Sequence, residues 1–230
     1  MFYINMNHNE KDIKKSKTPW PTKKVMEQVY DNKLWGDGNS LFYSGDGSHN
    51  PKLTYPYIKA VTKFLKSFKR PLVLCDLGCG DFNIGKELVP YTNRYIAVDI
   101  VSDLITYNEA MFKAENLEFQ CLDISVDDLP EGECVILRQV LQHLSNAEVH
   151  RVLRKLVCFK FVVLTEHIPN GDFISNKDII SGQGIRLKKQ SGLDILAPPF
   201  NFKIQKQNIL STVIVDDNKG IIRTTLYQLF

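Results

Sequence analysis

The sequence contains no apolar run approaching the roughly 20 residues that a membrane-spanning helix needs, so no membrane partner is expected. Its first residues lack both a basic segment and a continuous apolar segment, which argues against a secretory signal. The net charge is only +3, so charge alone does not indicate a nucleic-acid partner. Together these absences predict a cytoplasmic protein of one main domain, with nucleic acid a disfavoured partner.

Cysteine is sparse, and the five thiols lie in or beside apolar strand-like runs without the spacing of metal ligands: Cys75, Cys79, Cys121, Cys134 and Cys158. The odd number argues against a full disulfide framework. We therefore expect core thiols in a reducing compartment and no metal site.

The most informative part of the chain is residues 73–81, followed by residues 95–99. The pattern is typical of a buried strand that breaks into a glycine turn, then a helix, then a second buried strand that ends in an acid. Gly78 and Gly80 allow the backbone to pass close to a ligand. Asp99 lies 19 residues after Gly80 and is placed to accept hydrogen bonds from both hydroxyls of a ribose. The spacing predicts a nucleoside pocket.

The neighbouring residues discriminate between three nucleotide-binding motifs. A dinucleotide fingerprint needs a third glycine where this chain has Asn83, so NAD and FAD are disfavoured. A phosphate loop ending at Gly85-Lys86 is followed by Glu87, which has no hydroxyl for magnesium. S-adenosylmethionine has no phosphate, and acids such as Asp76 and Asp81 suit its ammonium group.

Residues 76–80, Asp-Leu-Gly-Cys-Gly, resemble the first motif of the class I S-adenosylmethionine-dependent methyltransferases. The resemblance implies S-adenosylmethionine as cofactor and a Rossmann-like fold. Together with the motifs described below, it implies a cofactor-binding set of Asp76, Gly78, Cys79, Gly80, Asp81, Asp99, Ile100, Asp123, Ile124 and Arg138.

Strand-like and helix-like segments alternate after residue 70, which predicts an α/β fold with a mostly parallel sheet and helices on both faces. We expect seven strands near 72–76, 94–99, 117–122, 133–138, 160–166, 201–207 and 222–229. Helical patterns lie between them, near 83–90, 102–113 and 146–157. A turn signal at residues 216–220 makes the last two strands an antiparallel hairpin, as in class I methyltransferases.

The first 50 residues form a separate region before the methyltransferase domain at residues 51–230. Residues 1–20 are polar and lysine-dotted, typical of a mobile tail or, alternatively, of a basic arm for nucleic acid. A helix begins at Pro21 and ends near Asn32. The glycine-rich residues 36–50 are then either a surface loop or a lid over the ligand.

The segment around Asp123 resembles the third-strand acid motif of these enzymes. The resemblance implies that the Asp123 carboxylate accepts from the adenine amine, while the backbone of Ile124 donates to the ring. Ile100 is expected to line the other face of the base. The alternative for Asp123 is a turn cap, which is common for an aspartate at a strand end.

Residues 137–144 lie at the end of the fourth strand and resemble a motif of an uncharacterised methyltransferase subgroup. Arg138 and Gln139 occupy positions held there by a basic residue and an acid, but an amide cannot act as a base. His143 is therefore the better base candidate, with a structural hydrogen-bonding role as the alternative. Arg138, Gln139 and His143 are the predicted catalytic residues, and Arg186 and His49 are predicted to bind the acceptor.

These observations predict an S-adenosylmethionine-dependent methyltransferase that acts on a nitrogen or oxygen of a small molecule or sugar unit. Two other interpretations remain at this stage. One is a nucleic-acid methyltransferase, favoured by the lysine-rich tail. The other is a cofactor-binding module without turnover, suggested by Gln139.

Overall fold

The computed structural model describes residues 19–38, 40–215 and 219–230. Its strands are β1 (Val73–Leu77), β2 (Arg94–Asp99), β3 (Leu117–Cys121), β4 (Cys134–Arg138), β5 (Phe161–Ile168), β6 (Lys206–Ile214) and β7 (Ile221–Gln228). Its helices are α1 (Thr22–Asp31), α2 (Asp46–His49), α3 (Pro51–Leu65), α4 (Ser102–Met111) and α5 (Asn146–Leu156). Within the described residues the strands form one sheet in the order β3-β2-β1-β4-β5-β7-β6.

Strands β1 to β5 are parallel, and β7 runs antiparallel to both β5 and β6. The predicted mostly parallel seven-stranded sheet with a terminal antiparallel hairpin is confirmed. Because parallel strands end at the same edge, the turn after β1 and the ends of β2 and β4 lie side by side. Ligands bind at this edge in open α/β sheets.

Helices cover both faces of the sheet, as expected. On one face, apolar side chains of α5 pack against alternate residues of the central strands, among them Leu77, Val98 and Leu137. On the other face, α3 packs against the intervening residues, among them Leu74 and Ile136. Continuous apolar strands are what a sheet buried on both faces requires. Helix α5 begins with a capping box, in which the Ser145 and Glu148 side chains are each bonded to the other's backbone.

Two predicted elements differ from the structure. The segment 83–90 forms two short 3-10 turns, Gly85–Glu87 and Val89–Tyr91, because glycine and Pro90 disfavour a continuous helix. The sixth strand was expected at 201–207 but lies at Lys206–Ile214. Residues 201–204 form no strand. Phe202 packs against the core and donates its backbone N–H to Ile195 O at 2.9 Å. The predicted tail at 1–18 and the turn residues 216–218 lie outside the described residues.

The expectation that the cysteines are core thiols is only partly right. Cys75 and Cys134 are buried, Cys79 is half-buried, and Cys121 and Cys158 are exposed; all are free thiols. In the described part of the chain, no three His, Cys, Asp or Glu side chains are grouped so as to hold a metal ion. Nor does any helix there have the length and apolar character to cross a membrane.

Candidate active site

The turn after β1 adopts a backbone conformation that depends on glycine. Gly78 and Gly80 have φ angles of 83° and 57°, in the left-handed region that side chains other than glycine rarely occupy. The backbone N–H groups of Gly78 and Cys79 both donate to the carbonyl of Val98, at 2.8 and 2.9 Å. A Cβ on Gly78 would lie 2.4 Å from Val140 Cγ2. The turn therefore has no room for a larger residue.

Asp99, at the end of β2, holds this turn in place. Its Oδ2 accepts from Gly80 N at 3.0 Å, and its Oδ1 accepts from Val101 N at 3.1 Å. Burial raises the pKa of the Asp99 carboxyl, and hydrogen bonds from the backbone N–H groups partly oppose that rise. Each carboxylate oxygen has two lone-pair directions, so both oxygens retain capacity for a further donor.

A cavity of about 380 Å³ opens beside this turn, at the carboxyl ends of the parallel strands. Its volume falls within the roughly 300–1,000 Å³ typical of small-molecule sites. Most of the predicted cofactor-binding residues line it: Gly78, Cys79, Gly80, Asp99, Ile100, Asp123, Ile124 and Arg138. The structure therefore brings these residues together around one cavity.

Asp76 and Asp81 were expected to contact the cofactor, but neither lines the cavity. Asp76 lies beneath the sheet edge, where its Oδ2 accepts from the Tyr95 hydroxyl at 2.7 Å. Burial raises the pKa of Asp76 to about 7. Asp81 accepts from Ser44 N at 2.8 Å through the oxygen that also contacts His49. Both carboxyl groups are bonded to other protein groups in this structure, and their contact with a cofactor ammonium stays a prediction.

Asp123 caps a turn, which is one of its two predicted roles, and it also lines the cavity. Its Oδ1 accepts from Ser125 N at 2.8 Å, which is the turn cap. The residue nevertheless lines the cavity, next to Ile124. A cap that uses one carboxylate oxygen does not remove Asp123 from the wall.

Residues 40–50, part of the segment predicted to be a surface loop or a lid and named the lid for that second alternative, lie against the glycine turn. Ser44 Oγ accepts from Asp81 N at 2.9 Å, and His49 Nε2 lies 2.6 Å from Asp81 Oδ2. Asn83 Nδ2 donates to Ser48 O at 2.8 Å. His49 was predicted to bind the acceptor, but its ring pairs with Asp81 and does not line the cavity. That prediction is wrong, and His49 instead fastens the lid.

Arg138, at the end of β4, joins the lid to the cavity. Its guanidinium donates to Gly47 O at 2.5 Å and lies over the Tyr57 ring, 5.0 Å from the centroid. Burial lowers the pKa of Arg138. Its Nε is buried and has no hydrogen-bond partner among the described residues. A buried donor without a partner is costly, so this atom is suited to an acceptor on a ligand.

His143 lines the acceptor side of the cavity, with both ring nitrogens bonded within the protein. Its Nδ1 lies 3.0 Å from Gly182 O, which fixes Nδ1 as the protonated nitrogen. Gln142 Oε1 accepts from His167 N, so Gln142 Nε2 is the donor to His143 Nε2 at 3.3 Å. Burial lowers the pKa of His143 to about 4. The ring is therefore neutral at physiological pH, and the arrangement favours a positioning role.

Gln139 also lines the cavity and has a φ of 59°. Its backbone N–H donates to Thr165 O at 2.7 Å. A Cβ on Gly47 of the lid would lie 2.7 Å from Gln139 Nε2, so the amide lies directly against the lid. The side chain thus closes a gap between β4 and the lid.

Arg186 was predicted to clamp a carboxylate or phosphate of the acceptor, and this prediction is wrong. The side chain is 1% exposed and does not line the cavity. Its guanidinium donates to Leu144 O at 2.8 Å and Asn146 Oδ1 at 2.7 Å. It also donates to Leu141 O at 3.2 Å. Arg186 therefore holds the turn that carries His143, and it cannot reach an acceptor.

Several residues of the cavity wall were not predicted as site residues. Met26 and Tyr30 of α1 and the nearby Trp35 contribute to the wall. The Tyr30 hydroxyl lies 3.0 Å from Ser44 Oγ, and the Trp35 ring packs against His143 with centroids 5.4 Å apart. The signal for Met26 and Tyr30 in the sequence was helical spacing, which predicts burial and does not distinguish core from cavity wall. Trp35 follows that helix, at the start of the glycine-rich stretch.

Part of the chain matches a known protein family. Residues 75–157 match the protein family described as a methyltransferase domain. A protein of Chlamydia pneumoniae described as an uncharacterized RNA methyltransferase is 26% identical over 193 residues. That match covers 77% of this chain and 45% of the relative. The chain thus spans less than half the length of this curated relative.

Solved structures share the fold at low sequence identity. The N-methyltransferase NodS from Bradyrhizobium japonicum, bound to S-adenosyl-L-homocysteine, has a TM-score of 0.66 and 11% identity, covering 89% of this chain and 98% of that chain. Magnesium protoporphyrin IX methyltransferase from Synechocystis, with bound S-adenosylmethionine, has a TM-score of 0.56 and 14% identity. That match covers 94% of this chain and 100% of that chain.

The strand order and the glycine-turn cavity define a Rossmann-like methyltransferase fold. Residues 75–157 thus match a methyltransferase domain, and the fold is shared with solved methyltransferases that hold S-adenosylmethionine or S-adenosylhomocysteine. The residues present fit this cofactor. Asp99 offers oxygens for ribose hydroxyls, and the unpartnered Arg138 Nε offers a donor for a carboxylate.

Proposed function

We propose that this protein transfers a methyl group from S-adenosylmethionine to a nitrogen or oxygen of a small molecule or sugar unit. The observation that carries the proposal is the composition of the cavity wall. Its cofactor side is built by the glycine turn and Asp99, and its other side by α1, Trp35 and the lid. A wall that includes a lid suits an acceptor small enough to be enclosed.

The proposed contacts with the cofactor follow from the positions of the lining residues. Asp99 would accept from the ribose hydroxyls, and Asp123 would accept from the adenine amine. Ile100 and Ile124 would pack on the two faces of the base. Arg138 would donate from Nε to the methionine carboxylate, which would satisfy an atom that is otherwise buried without a partner.

The chain's own contribution to catalysis would be positioning. The cofactor supplies an electrophilic methyl group on its sulfonium. His143, Gln139 and Trp35 would hold the acceptor atom in line with that methyl group and exclude water, and such alignment can supply several kcal/mol of barrier reduction. A neutral His143 can accept a proton from an acceptor hydroxyl only if Gln142 gives up its hydrogen bond to Nε2. A nitrogen acceptor that attacks with its lone pair needs no such base.

An RNA acceptor is the second candidate, because the Chlamydia pneumoniae relative is described as an uncharacterized RNA methyltransferase. The modest net charge of +3 gives this candidate no strong electrostatic support. The small-molecule and RNA candidates are distinguished by which kind of molecule carries the methyl group after the reaction.

The test is incubation of the protein with methyl-labelled S-adenosylmethionine and either a metabolite extract or total RNA. We expect label in the small-molecule fraction and none in RNA. Label in RNA that grows with enzyme concentration would overturn the small-molecule proposal. Binding of S-adenosylhomocysteine without any labelled product would indicate a cofactor-binding module. Asp99→Asn serves as the negative control, because it should abolish labelling of any acceptor at low cofactor concentration.

A further inference from the structure

His167, near the end of β5, is a titratable side chain of the cavity wall that has no role in the contacts described so far. Its backbone N–H donates to Gln142 Oε1 at 2.8 Å. The same Gln142 amide donates from Nε2 to His143 Nε2 at 3.3 Å. One amide therefore holds the backbone of His167 and the ring of His143, so His167 belongs to the acceptor side of the cavity.

The ring of His167 has one nitrogen bonded and one free. Nε2 lies 2.9 Å from the carbonyl oxygen of Lys219. Because a carbonyl oxygen only accepts hydrogen bonds, Nε2 is the nitrogen that carries the proton. Nδ1 has no hydrogen-bond partner within the described part of the chain. Lys219 is not part of the cavity wall, so Nδ1 is the nitrogen that remains for a molecule in the cavity.

The charge state of the His167 ring suits a base. Burial lowers the pKa of His167, and the hydrogen bond to Lys219 O opposes that fall only in part. The neutral ring therefore predominates at physiological pH, with an unshared electron pair on Nδ1. The side chain is also partly exposed, so a proton that it takes up can pass to water. A positioned neutral imidazole of this kind can act as a general base.

Other groups of the cavity wall suit this role less well than His167. Both ring nitrogens of His143 are bonded within the protein. Asp99 and Asp123 accept hydrogen bonds from backbone N–H groups on the cofactor side. Asp46 of the lid lines the cavity as well, but a carboxylate is a weaker base than an imidazole. His167 is the stronger candidate for accepting a proton from the acceptor.

We infer that the methyl acceptor is a hydroxyl compound and that His167 Nδ1 removes the proton of that hydroxyl. This inference rests on the proposed function, because it specifies the acceptor atom of the same reaction. A bond forms between the acceptor oxygen and the methyl carbon, while the bond from that carbon to sulfur breaks and its electron pair passes to sulfur. The hydroxyl proton moves to Nδ1, and the resulting imidazolium releases it to water.

The first test measures the tautomer of His167 and does not depend on activity. Nitrogen NMR of protein with isotope-labelled histidine, saturated with S-adenosylhomocysteine at neutral pH, distinguishes a ring protonated at Nε2 from one protonated at Nδ1. The signals of His167 are assigned by their absence from the spectrum of His167→Gln. We expect a neutral ring with its proton on Nε2. A proton on Nδ1 would overturn the inference.

The second test measures transfer of label from methyl-labelled S-adenosylmethionine to a metabolite extract. His167→Gln should lower the rate roughly 100-fold or more, since a general base contributes about 10²–10⁴-fold. Its affinity for S-adenosylhomocysteine should be unchanged, which shows that the variant is folded. His150→Gln makes the same substitution on the exposed side of α5 and should change neither quantity. If His167→Gln labels the extract as fast as the unaltered protein does, His167 is not the base.

The third test identifies the acceptor atom in the product of the unaltered protein. Hydriodic acid converts methyl ethers to volatile methyl iodide under conditions that leave N-methyl groups in place. We expect the label to be released as methyl iodide. Label that remains on nitrogen would overturn this inference and leave the proposed function intact. The absence of any labelled product would overturn the proposed function, and this inference with it.

Discussion

The two halves that we propose for the cavity, a cofactor half and an acceptor half, are built in different ways. The cofactor half, formed by the glycine turn, Asp99 and Asp123, depends on backbone conformation and on acids at strand ends. The acceptor half, around His143, depends on side chains and carbonyls from segments far apart in the chain, such as Gly182 and Trp35. The first half is thus encoded locally, and the second only by the complete fold.

This difference predicts how substitutions in each half of the cavity affect cofactor binding. In the cofactor half, the turn after β1 and Asp99 are 19 residues apart in sequence and bonded directly. In the acceptor half, Arg186 holds the backbone of the His143 turn from more than 40 residues away. We therefore expect substitutions in the cofactor half to abolish binding of the cofactor, and those in the acceptor half to spare it.

The largest effect should come from Gly78→Ala. The added Cβ would lie 2.4 Å from Val140 Cγ2, at a φ of 83°. The clash and the backbone strain of roughly 1–2 kcal/mol would both force the turn to move. Cofactor affinity should therefore fall more than about 100-fold. Calorimetric titration with S-adenosylhomocysteine measures the loss.

Gly171→Ala is the matched control for this variant. Gly171 has a similar φ of 88°, but a Cβ there meets nothing within 4 Å. It should lower stability slightly and leave cofactor affinity unchanged. Equal behaviour of the two variants would show that backbone strain alone matters, and the contact with Val140 would then have no role.

Asp99→Asn should have the next largest effect. Asparagine keeps one acceptor for the backbone N–H groups of the turn but lacks the second carboxylate oxygen and the charge. S-adenosylhomocysteine should bind roughly 10- to 150-fold more weakly, as expected for a loss of about 1.5–3 kcal/mol. Asp103→Asn, in the exposed first turn of α4, is the control. An unchanged dissociation constant for Asp99→Asn would remove Asp99 from the ribose site.

His143→Gln tests the acceptor half, where cofactor affinity should change only a few-fold while turnover falls. Burial holds the pKa of folded His143 at about 4, below its usual 6.5, so the unfolded chain binds more protons between these values. Stability should therefore be lost as pH falls from 6.5 to 4. The variant should show a shallower loss in denaturant titrations across this range.

Burial lowers the pKa of His167 as well, so His167 also contributes to the loss of stability as the pH falls. Some pH dependence should remain in His143→Gln for this reason. If cofactor affinity, turnover and stability at pH 7 all fall together, His143 is a structural residue and not part of the acceptor site.

The same contrast explains what the sequence could predict. The fold followed from apolar strands that alternate with helices, and the glycine turn and Asp99 followed from their short spacing. The roles predicted for Arg186 and His49 were wrong because the sequence alone does not show whether a polar side chain contacts a ligand or another part of the protein. Only the packing of distant segments decides that Arg186 is 1% exposed.

The smallest effect is expected at the lid, which connects the two halves through the contact of His49 Nε2 with Asp81 Oδ2 at 2.6 Å. His49→Gln replaces the imidazole that contacts Asp81. Loss of this partly exposed hydrogen bond costs about 0.5–1 kcal/mol, so cleavage of the lid by a protease should accelerate roughly two- to fivefold. Limited proteolysis with and without S-adenosylhomocysteine measures this rate.

The cofactor should slow cleavage in both proteins, because the lid rests on the turn that binds it and protection follows the fraction of open lid. His150→Gln makes the same substitution on the exposed side of α5, away from the lid. In this variant a protease should cleave the lid at the same rate as in the unaltered protein. If lid cleavage is the same with and without S-adenosylhomocysteine, residues 40–50 are an ordinary surface loop.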